Sequence, residues 1–155
     1  MSERAPPLEP TALLQDADWL QWLCAQPVAR FATLNQRAAP HLVPVVFVLL
    51  QGALWLPVDG KPKRGAHLAR LQHLRRDPRC CLLIDVYAAD WRALRWLRLD
   101  GVGEVQALAA DAAAGLTAAL RRKYPQYAAV EPLPAPATAI RFTWTKAARW
   151  RASVG

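Results

Sequence analysis

Three strand-like segments follow one another between residues 30 and 58, with no room for a helix between them. They cover residues 30–34, 41–50 and 53–58, and they are separated by the polar turn 35–37 and the tight turn Gln51-Gly52. Connections this short join antiparallel neighbours, because a parallel pair requires a crossover of a dozen or more residues. A doubly wound parallel sheet, with a helix after nearly every strand, is therefore excluded.

The rest of the chain alternates helices with further strands. Periodicity and stop signals predict helices over residues 11–26, 65–76 and 111–123, and strands over residues 80–87, 94–107 and 138–152. Asp100-Gly101 and Gly103 predict a bend or bulge in the fifth strand. Six strands, joined partly by hairpins and bridged by helices, predict a small, mostly antiparallel barrel. A length of 155 residues is that of one domain, residues 1–155.

Bulk composition restricts the class of protein. Apolar residues make up 54% of the chain, which excludes a disordered protein. The longest apolar run, residues 42–50, is strand-sized, and the N-terminus lacks the profile of a signal peptide. The three cysteines form neither a disulfide framework nor a metal site. We therefore expect a cytoplasmic protein with no membrane segment.

A net charge of +8 favours an anionic partner, and much of it lies in one segment. The apolar run 54–58 stops at Asp59-Gly60, the cations Lys61, Lys63 and Arg64 follow, and a helix then begins. Cations and free backbone N–H groups at a helix N-terminus make an anion site, and the phosphate of a cofactor is the anion that we favour. A solvated basic turn is the alternative.

Several other kinds of site are disfavoured. The three histidines, His41, His67 and His73, share no metal-ligand spacing, which argues against a metal or haem site. No aromatic residue occurs within residues 61–79, which weakens a nucleic-acid function for the basic segment. No catalytic triad, paired acid motif or glycine-rich nucleotide loop stands out.

Two further groups of residues have open interpretations. The arginines of the second helix and the segment after it are predicted to be mostly a solvated face, since its leucines must face the core; they are Arg70, Arg75, Arg76 and Arg79. In the fifth strand, Trp96 and Arg98 alternate with Leu97 and Leu99 and point away from the core. Trp96 and Arg98 suit a dimer interface or the edge of a bound cofactor. The alternative is a surface ion pair.

The chain resembles the pyridoxamine 5′-phosphate oxidase-like superfamily of flavin-binding split barrels. It is most similar to the small PPOX-class coenzyme F420-dependent oxidoreductases. The matching segments occur in the family's order over nearly the whole chain, and they are residues 29–34, 40–45, 58–64, 77–79, 90–91, 96–101 and 149–150. Lys61-Pro62-Lys63 and the strand Trp96-x-Arg98-x-Asp100-Gly101 are together the most specific of them.

The resemblance implies a six-stranded antiparallel split barrel and a homodimer with two cofactor sites at the subunit interface. In such proteins the basic turn grips the cofactor phosphate, which implies that role for Lys61 and Lys63 and extends it to Arg64. Backbone from two strands lines the ring system, and the corresponding residues here are Val43, Pro44, Val45, Leu56, Pro57 and Val58. Trp96 and Arg98 are further candidates for contact with the cofactor.

The leading functional hypothesis is an oxidoreductase that moves a hydride between a bound flavin-type cofactor and an unidentified small organic substrate. The cofactor is coenzyme F420 or FMN; the polyglutamate tail of F420 suits the basic helix, whereas FMN ends at its monophosphate. A non-catalytic flavin-binding or carrier protein is the alternative. The pyridoxal-phosphate contacts of true pyridoxamine phosphate oxidases have no counterpart here, so that activity is not assigned.

Overall fold

The computed structural model describes residues 9–59 and 66–152 of the chain, without the side chains of residue 10 and residues 66–68. The helices are α1 (Pro10–Gln15), α2 (Ala17–Ala25), α3 (Ala66–Arg76) and α4 (Ala110–Lys123). The strands are β1 (Ala29–Leu34), β2 (Pro40–Val45), β3 (Val48–Leu50), β4 (Ala53–Pro57), β5 (Arg79–Val86), β6 (Arg95–Ala107) and β7 (Thr138–Arg151). The prediction of a mostly β protein with bridging helices is confirmed.

All seven strands belong to one sheet in the order β2-β1-β5-β6-β7-β4-β3, and every neighbouring pair is antiparallel. The edge strands β2 and β3 are consecutive in the chain and are separated only by Val46 and Phe47. Because two residues span roughly 10 Å at most, the two ends of the sheet must lie close together. The sheet therefore curls into a barrel that is split along a seam between β2 and β3.

The single strand predicted over residues 41–50 is wrong, and the described residues form seven strands instead of six. Phe47 leaves the ladder because its backbone finds another partner, the hydroxyl of Tyr124. Phe47 N–H donates to Tyr124 Oη at 3.0 Å, and Tyr124 Oη donates to Phe47 O at 2.8 Å. With its polar groups satisfied by a side chain, Phe47 can pass between the two edges without an unpaired buried amide.

Two apolar clusters hold the fold together. The larger one fills the barrel, where α3 contributes Leu71 and Leu74 and α2 contributes Trp19 and Leu23. The smaller cluster joins α4 to the opposite side of the sheet around β3 and β4. Because α3 is anchored by its leucines, the residues next to them on that helix are held against the sheet.

The bulge predicted at Asp100-Gly101 is confirmed by a register shift between these two residues, in the pairing of β6 with β7. Near the N-terminus, the continuous helix predicted over residues 11–26 is wrong. Asp16 ends α1 and caps α2, since its Oδ1 accepts a hydrogen bond from Trp19 N–H at 3.3 Å. Among the described residues, no helix has both the length and the apolar character needed to cross a membrane.

Candidate functional site

A cleft of about 280 Å³ opens where the edge strand β2 and the end of β4 meet the helix α3. One part of its wall is apolar, and the other part carries a carboxylate and a guanidinium. The lining residues are Val28, Pro44, Val45, Val46, Pro57, Asp59 and Arg70. Asp59 is the last described residue before α3, so the cleft adjoins the turn that carries the predicted anion site.

Three of the six strand residues assigned to the cofactor ring lie together at this cleft, namely Pro44, Val45 and Pro57. The side chains of the other three pack against the core instead. Leu56 is completely buried, and Val43 and Val58 are partly buried against the same cluster. Around Pro57 the period of two explains this division, because neighbours on a strand face opposite sides of the sheet. In β2 the division is less sharp, since Val45 lines the cleft and also packs against the core.

The predicted phosphate ligands lie outside the described residues; they are Lys61, Lys63 and Arg64. The end of β4 that leads to them is held firmly in place. Val58 N–H donates to Thr138 O at 3.1 Å, and Tyr127 donates its hydroxyl to Asp59 Oδ2 at 2.6 Å. Both Asp59 and Tyr127 are buried, so this contact fixes the point from which the basic turn departs.

Arg70 is an exception to the prediction that the arginines of this region are mostly a solvated face. Its side chain is only 6% exposed, and it lines the cleft beside Asp59. Burial lowers the pKa of Arg70, and the Asp59 carboxylate opposes that shift. Since a guanidinium stays protonated at neutral pH even so, the cleft holds a fixed positive charge.

The other arginines of this region are exposed, as predicted. Arg76 Nη2 donates to Leu34 O at 2.6 Å and also to Asn35 O, which ties the end of α3 to the end of β1. Arg79 pairs with Asp77, with Nη2 and Oδ2 2.6 Å apart. This pairing and a backbone hydrogen bond lower the pKa of Asp77 to about 2.

Trp96 and Arg98 do not line the cleft. They project from β6 on the side of the sheet opposite to the buried Leu97 and Leu99, as the alternation predicts. Arg98 Nη2 lies 3.2 Å from Asp100 Oδ2. β6 is not a neighbour of β2 or β4 in the sheet, so within the chain these side chains lie apart from the cleft.

Sequence reasoning missed the structural roles of Asp59, Arg70 and Tyr127 at the cleft. Arg70 carried a usable signal, since it lies four residues before Leu74 and therefore on the same face of α3. Tyr127 carried none, because its contact with Asp59 spans 68 positions from a proline-rich loop. Within the described ranges, no group of three or more His, Cys, Asp or Glu residues is placed to hold a metal ion.

Solved structures share this architecture at low sequence identity. A conserved hypothetical protein from Mycobacterium tuberculosis is 19% identical, with a TM-score of 0.73 over 100% of this chain and 98% of that one. An FAD-binding protein from Mesorhizobium loti is 19% identical, with a TM-score of 0.66 over 89% and 95%. HutZ, the heme storage protein from Vibrio cholerae, is 11% identical, with a TM-score of 0.66 over 88% and 96%. At these identities the likeness shows the fold alone.

No curated protein matches the chain. The comparison with family models identifies the family, because one model matches most of the sequence. Residues 16–151 match the model of the family described as pyridoxamine 5′-phosphate oxidase. That range contains every described strand and the whole of the cleft. The chain therefore belongs to the pyridoxamine 5′-phosphate oxidase family.

Proposed function

We propose that this protein is an oxidoreductase that binds a flavin-type cofactor, coenzyme F420 or FMN, in the cleft at the seam. It moves a hydride between that cofactor and a small organic substrate. The observation that carries the proposal is the cleft itself, in which an apolar wall and the buried Arg70 adjoin the cation-rich turn at Lys61 and Lys63. Membership of the family and the FAD-binding relative support a flavin-type ligand.

Each part of the cleft suits one part of such a cofactor. Pro44, Val45 and Pro57 offer flat apolar surface to a ring system, and neither proline has an N–H group to leave unpaired. Arg70 is placed to face the electron-rich edge of the ring or the phosphate, because its charge is buried in the same wall. Lys61, Lys63 and Arg64 supply the cations for the phosphate.

The bound cofactor supplies hydride chemistry, and the chain supplies placement and electrostatics. Asp59, the residue that leads into the basic turn, is held in place by the hydroxyl of Tyr127. Asp59 also neutralises part of the Arg70 charge, which reduces the cost of burying the guanidinium. This division of labour explains why no catalytic side chain stands out in the sequence.

Turnover distinguishes an enzyme from a carrier. We expect the cofactor-loaded protein, mixed anaerobically with excess reductant and a panel of small electron acceptors, to oxidise and reduce its cofactor many times per chain. The measurement is the cofactor absorbance during steady state, with the free cofactor at the same concentration as control. A single stoichiometric reduction, with no faster turnover than free cofactor for any acceptor, would support the carrier instead.

We further propose a homodimer that is formed through the outer face of the sheet. That face carries apolar side chains on β2, β1, β5, β6 and β7, namely Leu42, Ala32, Leu83, Trp96 and Trp150. Leu42 is 64% exposed and Trp150 is 37% exposed in the single chain. Exposed apolar surface of this kind usually marks an interface. In such a dimer, Trp96 and Arg98 of one chain would reach the cofactor of the other.

Light scattering at micromolar concentration, with cofactor present, tests this interface. The wild type should have the mass of a dimer, and Leu42→Glu should shift it towards the monomer because a carboxylate would be buried in the interface. Leu14→Glu is the matched control, since Leu14 is an exposed leucine on α1 away from this face. A monomeric wild type would contradict the proposal.

A further inference from the structure

His41 and His73 lie together although 32 positions separate them in the chain. His41 is on the edge strand β2, and His73 is on the side of α3 that faces this strand. Their ring centroids are 5.1 Å apart, with 79° between the ring planes. Neither histidine lines the seam cleft. His41 and Val45 are four positions apart on β2, which corresponds to about 13 Å.

The nitrogen atoms of the two rings have unequal surroundings. His73 Nδ1 lies 3.0 Å from the hydroxyl oxygen of Thr33, a residue that is only 2% exposed. His41 Nδ1 is shielded from solvent and has no hydrogen-bond partner in the part of the chain that the structure describes. Buried polar atoms are nearly always satisfied, so an unpaired imidazole nitrogen points to a ligand or a bound water.

We propose that His41 and His73 form a binding site for a late first-row transition-metal ion. Two imidazoles on one tetrahedral ion, with metal–nitrogen bonds of about 2.0–2.1 Å, have ring centroids about 5 Å apart. The observed separation of 5.1 Å therefore matches ligation of one ion by both rings. Water completes the coordination from the solvent-filled cleft beside His73, which has a volume of about 490 Å³.

The contact with Thr33 supports a ligand role for His73. A metal-bound histidine usually gives its second ring nitrogen to a hydrogen-bond partner, which fixes the tautomer and the ring orientation. Thr33 occupies that position at Nδ1, which leaves Nε2 for the ion.

The chemistry of the donors selects the class of ion. Imidazole nitrogen suits Ni²⁺, Cu²⁺ and Zn²⁺, whereas Mg²⁺ and Ca²⁺ require oxygen ligands. No carboxylate lines the neighbouring cleft, which instead carries Arg37 and Arg76. Their positive charge opposes a cation and makes the site weaker than a three-histidine site.

The test is a calorimetric titration of the untagged full-length protein with Ni²⁺. We expect one ion per chain, with binding at least tenfold weaker in His41→Gln and in His73→Gln. His67→Gln removes the third histidine of the chain and is the matched control, with unchanged affinity. Circular dichroism establishes that each variant is folded.

A second measurement does not depend on the variants. Electron paramagnetic resonance of Cu²⁺ bound to Cys24→Ser, which lacks the exposed thiol, should show coupling to two imidazole nitrogens. The proposal is overturned if Ni²⁺ does not bind, if affinity survives both substitutions, if His67→Gln weakens binding equally, or if the nitrogen coupling is absent. The proposal is likewise overturned if the protein binds hemin but binds neither Ni²⁺ nor Cu²⁺.

Discussion

Replacing Lys61 and Lys63 together with alanine is expected to weaken cofactor binding at least tenfold while the fold stays intact. A charge-assisted contact to phosphate contributes about 1.5–3 kcal/mol, and about 1.4 kcal/mol corresponds to a factor of ten. Pro62, between the two lysines, stiffens the turn and lowers the entropy lost when both cations meet one anion. The measurement is a fluorescence titration of the double variant with FMN and with coenzyme F420.

The matched control removes two cations elsewhere. Arg121 and Arg122 are exposed on α4, and Arg121 forms only a solvent-exposed pair with Glu131. The variant Arg121→Ala with Arg122→Ala lowers the net charge by the same amount, so it separates a local phosphate contact from a general electrostatic effect. Equal affinities for the wild type and the lysine double variant would show that the turn does not hold the phosphate.

Gly101→Ala is expected to be among the most damaging single substitutions in the sheet. A Cβ atom at this position would clash with the carbonyl oxygen of Thr143 and would lie 2.7 Å from Trp144 Cα. Both obstacles are backbone atoms of the neighbouring strand, so no side-chain rotation relieves the overlap. The bulge must therefore open, and we expect a loss of about 3 kcal/mol or more, which is typical of severe backbone strain and broken packing.

Denaturant unfolding of this variant and of Gly115→Ala provides the comparison. Gly115 lies within α4, where an added Cβ would meet no atom within 4 Å. Alanine there should stabilise the protein by roughly 0.5–1 kcal/mol, because glycine is a poor residue for a helix interior. If Gly101→Ala has the same free energy of unfolding as the wild type, β6 and β7 do not approach each other this closely at Gly101.

Much of the fold could be predicted because its signals are local. The turns near residue 36 and at Gln51-Gly52 are too short for parallel strands, and Asp100-Gly101 marks a bulge that the structure contains. The division of residues 41–50 into two strands could not be predicted. It depends on the hydroxyl of Tyr124, which lies 77 positions away from Phe47.

The residues that line the cleft could be predicted only in part. Pro44, Val45 and Pro57 line the cleft, and the family resemblance pointed to their segments. The partnership of His41 with His73 depends on how α3 packs on the sheet edge, and no spacing in the sequence contains that information.

The choice between the two cofactors depends on the exposed cations of α3 and β5. Arg75, Arg76 and Arg79 are exposed, and we propose that they contact the polyanionic tail of F420. Arg70 is excluded from that role because it is buried in the cleft wall. If the tail contacts exist, the affinity for F420 should fall more steeply with salt than that for FMN, since exposed charges are screened beyond about 8 Å at physiological ionic strength.

The central claim is that the seam cleft holds a flavin-type cofactor. Its most direct test is the visible absorbance of the protein as purified, followed by titration of the cofactor-free protein with FMN and with coenzyme F420. We predict saturable binding of one cofactor molecule per chain, and binding should weaken when Arg70 is replaced by methionine in a protein that remains folded. Failure of both cofactors to bind at micromolar concentration, with no visible absorbance in the purified protein, would contradict the account.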